Sequence, residues 1–450
     1  MSEIRNSNLL GKITVLVVVV LCVNTAVALD GSGMQEDPWL IKSLEDFNDF
    51  AADANYWDDY TRLETDVNLA GMVYSGTVIG YFTGVFDGND HKILNLTIDA
   101  GGYGLFSGNG GEVKNLGLEG GSVSGHSSVG GLCGGNSGTI SNCYSTGSVS
   151  GDRYVGGLVG RNRGGELFFC YSTCNVNGVD FVGGRVGRNE WGTITNCYSK
   201  GSVRGDESVG GLAGFNHRSW VYCCYSTSFV IGTNNVGGLV GDNYDPYEIL
   251  NCYSTGDVNG VRYVGGLVGN NTVLHFRSDI SQSYSTSDVS GSYSFYEVGG
   301  LIGYNDDYNC EVWSCFWDTD TQTHGVTKSI GLSYSYFDVT GLPTPQMQTR
   351  STFTSAASDG WDFVGETVNG TEDIWTIHEE VDYPKFIWEL VNFIGWYNVD
   401  FLDFAFFANH WLENNCGVAN DCEGTDLDFS DKVDEADLKI FCDHWLEGVQ

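Results

Sequence analysis

One phrase returns through this sequence at a nearly constant interval. The tripeptide Val-Gly-Gly begins at residues 129, 155, 182, 209, 236, 264 and 298, and the commonest step between copies is 27 residues. An asparagine follows the first residue of each copy by seven positions, and a weaker copy upstream places Asn109 27 residues before Asn136. A fixed period of this size is typical of structural units that stack along one axis.

The composition of the repeat favours strands over helices. Its apolar runs are short, partly β-branched and separated by Gly, Ser and Asn, as in strands joined by turns. We therefore predict a mostly β chain, a parallel β-solenoid of about 27 residues per coil, with about three strands of about five residues in each coil and equivalent residues about 4.8 Å apart. The repeated asparagines are expected to hydrogen-bond from coil to coil. Simple alternation places Ile140 and Cys143 on opposite faces, and a bend near Asn142 would bring both inside.

A column of cysteines follows the same period. Its members are Cys143, Cys170, Cys197, Cys224 and Cys252, and it continues as Ser283 and Cys315. Stacked in register, their Cβ atoms would be about 4.8 Å apart and parallel, whereas a disulfide needs about 3.8 Å and converging directions. We expect buried thiols that fill the core. Cys223 with Cys224, and Cys170 with Cys174, are the pairs that could bridge.

The repeated phrase resembles a known motif. "GGLVG" occurs at 156–160, 237–241 and 265–269, with close variants between them, and it is similar to the GLUG motif, named for its G-L-x-G core, over about 101–317. The resemblance implies an exported bacterial surface protein. Some GLUG proteins are proteases that cut immunoglobulin A with a separate zinc domain containing His-Glu-x-x-His. The sequence "HEEVD" (378–382) lacks the second histidine, which argues against that activity.

The N-terminal residues predict export. Residues 1–28 contain Arg5 and Lys12, then an apolar run (13–23), and end in Ala-Val-Ala, the pattern of a secretory signal peptide. The run is too short for a comfortable membrane span. We therefore expect a secreted or cell-surface protein.

Two further segments flank the repeats. Residues 29–100 are predicted to form an N-terminal cap and the first coils, with a short helix that begins after Ser43. Residues 318–391 are predicted to form an irregular exit cap. Its aromatic residues are expected in a core and not on a ligand platform, and they include Trp361, Phe363, Trp375 and Trp388.

The last segment, 392–450, contains a second repeat. "DFLDFAFFANHWLE" (400–413) matches "DEADLKIFCDHWLE" (434–447), and both predict helices. Before the second helix lies a twelve-residue loop with the oxygen-donor spacing of a calcium site. Its predicted ligands are Asp426, Asp428, Ser430, Asp434 and Asp437 at positions 1, 3, 5, 9 and 12, with the carbonyl of Lys432 at position 7.

Two such loop–helix units resemble a type I dockerin, which implies docking onto a cohesin-like protein. The first unit has Asn392, Ile394 and Trp396 at the equivalent of positions 1, 3 and 5, so one Ca²⁺ site is predicted and not two. Cys416 and Cys422, between the units, could form a disulfide.

Charge and motif content limit the function. A formal net charge of −37 argues against nucleic acid and anionic lipid as partners. Five aspartates near the turns fall in different registers, namely Asp152, Asp180, Asp206, Asp257 and Asp288, and no nucleophile motif is present.

We predict a secreted, monomeric, non-catalytic β-solenoid for binding or adhesion, with polysaccharide or a cohesin-like protein as partner. The alternative is a carbohydrate-active β-helix enzyme, a polysaccharide lyase or glycoside hydrolase carried by a dockerin. A carboxylate cluster in an aromatic-lined groove would favour that alternative.

Overall fold

The chain winds into a parallel β-solenoid, as the repeat predicts. A computed structural model describes residues 29–99, 101–274, 278–292, 297–306, 310–334, 337–355, 360–364, 368–369, 373–391, 401–413, 416, 422, 425–427, 429–430 and 432–443. The predicted signal peptide lies outside these residues. Each strand of a coil pairs in parallel with the equivalent strand of the next coil, so that four long sheets run along the axis.

Two sheets meet at the Val-Gly-Gly turn. The asparagine sheet has ten strands: Ile79–Phe82, Phe106–Asn109, Cys133–Asn136, Val159–Arg163, Val186–Glu190, Ala213–His217, Val240–Tyr244, Val268–Thr272, Ile302–Asn305 and Ile330–Ser333. The VGG sheet has seven: Ser127–Gly130, Arg153–Gly156, Asp180–Gly183, Glu207–Gly210, Asn234–Gly237, Arg262–Gly265 and Val298–Gly299. Their junction forms one outer edge of the solenoid.

The other two sheets complete each coil. The valine sheet has eight strands: Thr97–Ile98, Ser122–Ser124, Ser148–Ser150, Asn175–Asn177, Ser202–Arg204, Phe229–Ile231, Val258–Gly260 and Val289–Gly291. The tyrosine sheet has twenty-one, in two rows that merge near its end. One row is Trp39–Ile41, Tyr60–Leu63, Val85–Asp87, Glu112–Lys114, Thr139–Ser141, Glu166–Phe168, Thr193–Thr195, Trp220–Tyr222, Glu248–Leu250, Ser278–Ser281, Cys310–Asp318 and Phe337–Leu342. The other is Val67–Asn68, Lys92–Leu94, Gly117–Glu119, Tyr144–Ser145, Tyr171–Ser172, Tyr198–Ser199, Tyr225–Ser226, Tyr253–Ser254 and Tyr284–Ser285.

Each central coil therefore contains five short strands, and the expectation of three longer ones is wrong. The reason is a left-handed residue inside the "TISNCYS" segment. Asn142, with φ of 49°, divides this segment into two strands and turns the chain between them. Ile140 and Cys143 both point into the core and are fully buried, which confirms the expected bend.

Two polar columns stabilise the interior. Each ladder asparagine donates from Nδ2 to Oδ1 of the next, at 2.7–2.9 Å, through Asn109, Asn136, Asn162, Asn189, Asn216, Asn243, Asn271 and Asn305. The column cysteines are free thiols, as predicted, but they do more than fill space. Cys143 Sγ donates to the carbonyl two residues earlier at 3.1 Å, and the Ser283 hydroxyl makes the equivalent contact at 2.7 Å. The position therefore requires a small donor beside the left-handed bend. Cys223, Cys224, Cys170 and Cys174 are also unbridged.

A stack of tyrosines lines the outer side of the tyrosine sheet. Adjacent rings lie 4.8–5.0 Å apart and within 8° of parallel, from Tyr144 through Tyr171, Tyr198, Tyr225, Tyr253 and Tyr284. Part of the segment predicted as an exit cap packs on this flank. It comprises short helices Thr344–Met347, Arg350–Thr354 and Trp388–Val391 and the antiparallel strands Trp375–Thr376 and Lys385–Phe386.

The aromatic residues of this segment belong to a core, as predicted. Trp361, Phe363 and Trp375 are at most 1% exposed, and Trp388 is half-buried against them. Trp375 Nε1 donates to Asn251 Oδ1 at 3.1 Å, which fixes the segment to the solenoid.

Helices lie near both ends of the described chain. The N-terminal helix Leu44–Ala52 begins at Ser43, whose side chain accepts from Asp46 N, and it buries Phe47 and Phe50. A 3₁₀ turn, Ala54–Tyr56, follows it. The C-terminal helices are Phe401–Asn409 and Glu435–Asp443, and the disulfide Cys416–Cys422 joins the segment between them. In the described part of the chain, no helix has both the length and the apolarity to cross a membrane.

Candidate functional site

The copies of the repeat differ strongly at two outer positions. One precedes Val-Gly-Gly and holds Ser128, Tyr154, Phe181, Ser208, Asn235, Tyr263 and Glu297. The other precedes the ladder asparagine and holds Gly135, Arg161, Arg188, Phe215, Asp242, Asn270 and Tyr304. The inward positions between them hold Val, Gly and Leu in nearly every copy. At the junction of the VGG and asparagine sheets, variation is thus mainly at the outward positions.

The first of these columns has a strained backbone. Its φ values lie between 52° and 57° from Ser128 to Tyr263, in the left-handed region that bulky residues avoid. At the equivalent bend beside the cysteine column the residue is often asparagine, which tolerates this region, as at Asn142 and Asn196. Tyr154 and Phe181 in such a conformation point to a use for the side chain.

The two columns face each other diagonally. A residue of the first column contacts the second-column residue one coil later: Arg188 Nη1 donates to the Tyr154 hydroxyl at 3.3 Å, the Phe181 and Phe215 rings lie 5.1 Å apart, and Ser208 Oγ donates to Asp242 Oδ2 at 3.4 Å. Together the columns form the walls of an open groove that runs along the solenoid axis.

The central part of this groove has a volume of about 440 Å³ and contains both acids and rings. Its lining includes Asp180, Glu207, Asp242, Phe181, Phe215 and Tyr244. Asp180 is one of the five aspartates that the sequence analysis placed near the turns, and it lies at the edge of this groove. The other two acids were missed. Alignment of the repeat copies would have indicated them, because Glu207 occupies the position of Asp180 in the next copy and Asp242 lies in the column before the ladder asparagine.

Asp242 is the most perturbed of these acids. Its carboxylate is 9% exposed and accepts from Asn270 Nδ2 at 2.8 Å and from Asn235 Nδ2 at 3.3 Å. Burial raises the pKa of Asp242 to about 6, and the hydrogen bonds from Asn270 and Ser208 partly oppose this rise. Near neutral pH the groove therefore contains a carboxyl group close to its titration point.

The N-terminal part of the groove is rich in arginine. The buried Glu190 carboxylate holds Arg161 and Arg188 in ion pairs, and its pKa is lowered although burial acts in the opposite direction. Burial and the Arg218 charge lower the pKa of His217, so this ring is neutral at pH 7. Arginine side chains stack here on aromatic rings, for example Arg153 on Phe181 at 5.1 Å.

The backbone of the predicted calcium loop folds around its last residue, Asp437. The Asp437 carboxylate accepts from Leu427 N at 2.6 Å and from Asp434 N at 2.8 Å. Asp426 Oδ1 accepts from Ser430 N at 2.9 Å. Asp426 and Asp437 are 2% and 0% exposed.

Because Leu427 follows position 1, positions 1 and 12 of the loop lie near each other. The residue types of the loop are oxygen donors of the kind that Ca²⁺ prefers. Ser430 Oγ approaches the Lys432 carbonyl at 3.5 Å. Asp428 and the residues at 392–396 lie outside the described part of the chain. Within that part, no three His, Cys, Asp or Glu side chains are arranged to share a metal ion.

The fold and the groove define the class: a repeat β-solenoid with a variable outer groove on a fixed interior. Residues 125–150 match the family model described as the GLUG motif. The chain is also 33% identical over 132 residues to halomucin from Haloquadratum walsbyi, an alignment that covers 26% of this chain and 1% of halomucin. These findings support a GLUG-repeat protein. Because the chain spans so little of halomucin, nothing about that protein's activity transfers.

A solved structure shares the general shape. It is a crystal structure from Bacteroides ovatus described as a proposed immunoglobulin A1 protease, 20% identical in sequence, with a TM-score of 0.40 over 80% of this chain and 94% of that chain. A likeness at this level carries no information about activity.

Proposed function

We propose that this protein is an exported, non-catalytic binding protein whose groove holds a saccharide and whose C-terminal unit attaches it to a partner in the presence of calcium. The observation that carries the proposal is the groove, which aromatic and polar residues line, several of them on a left-handed backbone. Export rests on the signal-peptide pattern of residues 1–28.

The chemistry of the groove suits a sugar chain. Apolar C–H faces of sugar rings pack on aromatic rings such as Phe181 and Tyr244. Hydroxyl groups need acceptors and donors, which Glu207 and Asn235 supply along the same walls. An open groove that follows the solenoid axis accommodates an extended chain better than a compact small molecule.

The test is glycan binding by the mature chain and by single variants. Phe181→Ala and Tyr244→Ala are expected to weaken binding of a positive glycan at least fivefold. Phe229→Ala is the matched control, because Phe229 is 37% exposed on the valine sheet, away from the groove. Equal loss in all three variants, or no binding of any glycan by the unchanged chain, would contradict the groove proposal.

The C-terminal unit is proposed to bind one Ca²⁺ through Asp426, Asp428, Ser430, Asp434, Asp437 and the Lys432 carbonyl. Its dockerin-like repeat suggests a cohesin-like partner. Calorimetry should give one calcium per chain, lost in Asp426→Ala and retained in Asp279→Ala, an acid on the tyrosine sheet. Unchanged uptake in Asp426→Ala would refute this site.

A second candidate is a glycoside hydrolase or polysaccharide lyase, and Asp242 favours it. A carboxyl group with a pKa of about 6 can donate a proton near neutral pH, as a general acid must. Asp180 and Glu207 provide further carboxylates in the same groove. Hydrolysis of a bound glycan that disappears in Asp242→Asn while binding persists would establish the enzyme and exclude the non-catalytic alternative.

A further inference from the structure

The N-terminal part of the groove concentrates arginine side chains on an otherwise acidic protein. Four arginines, Arg153, Arg161, Arg163 and Arg188, lie there with two carboxylates, Asp180 and Glu190. Among the described residues, Asp180 and Glu190 are the carboxylates within ion-pair distance of these four guanidinium groups, and Glu207 and Asp242 lie further along the same groove. The whole chain has a net charge of −37. An electropositive surface on so acidic a protein attracts anionic groups to one place.

The four arginines fall into an inner and an outer pair. Glu190, 7% exposed at its side chain, holds the inner pair, Arg161 and Arg188, in fixed positions. The outer pair is open to solvent. Arg153 is 50% exposed at its side chain, and its nearest carboxylate oxygen, on Asp180, is 4.0 Å away.

Arg163 is the other outer arginine. It is exposed, and its guanidinium lies 5.3 Å from the ring centroid of Trp191, which is itself 41% exposed. No carboxylate of the described residues is within ion-pair distance of Arg163. Trp191 has φ of 54°, so a large ring is again kept in a conformation that favours glycine. A guanidinium that lies on an exposed ring offers its donor edge to a ligand.

We propose that the groove binds an acidic saccharide, one whose sugar rings carry carboxylate or sulfate groups. This proposal rests on the saccharide function proposed above and names the ligand class. The anionic substituents are held by Arg153 and Arg163, whose planar forks match carboxylate and sulfate oxygens. The sugar faces pack on Trp191 and Tyr154. Neutral sugars fill the same groove without these contacts and bind more weakly.

Two matched ligand pairs test this proposal with the full mature chain. Hexagalacturonate is compared with its methyl ester, which has the same sugars without the charge, and a sulfated galactan oligosaccharide is compared with its desulfated form. The charged member of at least one pair is expected to bind about tenfold more tightly. That preference is expected to shrink as salt increases from low to physiological concentration. Which pair shows it identifies carboxylate or sulfate as the recognised group.

Variants locate the effect on the protein. Arg153→Gln and Arg163→Gln are each expected to weaken the preferred charged ligand about fivefold and to leave its neutral counterpart unchanged. Arg204→Gln removes the same charge from an exposed position on the valine sheet and is expected to change neither. Equal binding of both members in both pairs overturns the acidic class while the saccharide function stands. Equal weakening by Arg204→Gln overturns the assignment to the groove, and failure of all four ligands and of neutral glycans overturns both proposals.

Discussion

Replacement of Arg185 by leucine is expected to stabilise this protein. Arg185 is fully buried, and among the described residues its Nε, Nη1 and Nη2 atoms have no oxygen or nitrogen acceptor, although the Cys197 thiol lies close to the guanidinium. It occupies a core position that is leucine in six other copies: Leu132, Leu158, Leu212, Leu239, Leu267 and Leu301, each fully buried. Its backbone pairs in register with the adjacent coils, so the substitution disturbs no ladder.

The magnitude follows from what surrounds the guanidinium. The column thiols Cys170, Cys197 and Cys224 interact electrostatically with it, but burial raises the pKa of Cys197 and Cys224 well above the usual range, so neither supplies an anion. An unsatisfied buried polar group costs about 1–3 kcal/mol, more if charged. Full burial of a leucine side chain adds roughly 1.5–3 kcal/mol. Arg185→Leu should therefore raise the free energy of unfolding by about 3 kcal/mol.

Urea denaturation of the unchanged chain and of the variant measures this difference, from the midpoint at constant slope. Arg185→Met fills more of the arginine volume and is expected to be stabilising too, whereas Arg185→Lys retains the charge and is not. Lower stability of both the leucine and methionine variants would show that the guanidinium has a partner, such as a Cys197 thiolate, and would refute the reasoning.

Four further outcomes are expected. An uncharged thiol reagent should label exposed Cys442 rapidly, half-buried Cys223 slowly, and the nine buried free thiols of the described chain only after unfolding. Mass spectrometry counts the labels, and labelling of the buried thiols in native buffer would contradict the packing of the cysteine column. Asp242 has a raised pKa of about 6 in the fold, so its contribution to stability is fully present below its unfolded pKa, about 3.9, and lost as pH rises through 6. Asp242→Asn should reduce the change of the denaturation midpoint with pH over this window, and an unchanged pH profile would exclude a buried titrating group. Burial also raises the pKa of Glu389, which accepts from the Tyr253 hydroxyl at 2.8 Å. Amide protection in residues 375–391, corrected for base-catalysed intrinsic exchange, should therefore fall as pH rises, and Glu389→Gln should remove that fall; an equal fall in the variant would assign it elsewhere. Phe181→Gly should change stability by less than about 1 kcal/mol, because relief of left-handed strain of about 1–2 kcal/mol offsets lost packing, and a loss of several kcal/mol would show that the ring is structural.

The interior of the solenoid could be predicted from the sequence because the same pattern of residues recurs in every copy of the repeat. Stacking in register converts every identical position into a column, so the asparagine ladder and the free cysteines follow from spacing and strand separation alone. The division of each coil into five strands could not be predicted in this way. It depends on left-handed residues such as Asn142 and Phe169, and a sequence does not distinguish a bent residue from an extended one when its side chain is not glycine.

The residues of the candidate groove could not be predicted from the sequence for a related reason. Asp180 and Glu207 share one position, two residues before Val-Gly-Gly, and pair in register, whereas Asp242 lies directly before a ladder asparagine. A search among aspartates alone separates them. Asp242 lies near the other two because the corner between the two sheets brings the start of one Val-Gly-Gly strand beside the residue before the ladder asparagine one coil later. The relevant relation is diagonal across coils, at a sequence distance of 34 residues, and not the period of the repeat itself.

The division between a fixed interior and a variable groove has an energetic basis. Every coil is held by the same amide ladder and the same buried aliphatic residues, so one exposed position can change without cost to its neighbours. The groove column differs from these positions, because its left-handed backbone, like that of the bends at Phe169 and Trp191, penalises any residue other than glycine or asparagine. A repeat under selection for stability alone would place glycine there, as it does at other turns. The saccharide proposal accounts for Tyr154, Phe181 and Tyr263 in this column, because contacts of their side chains with a ligand would compensate for the stability lost at each coil.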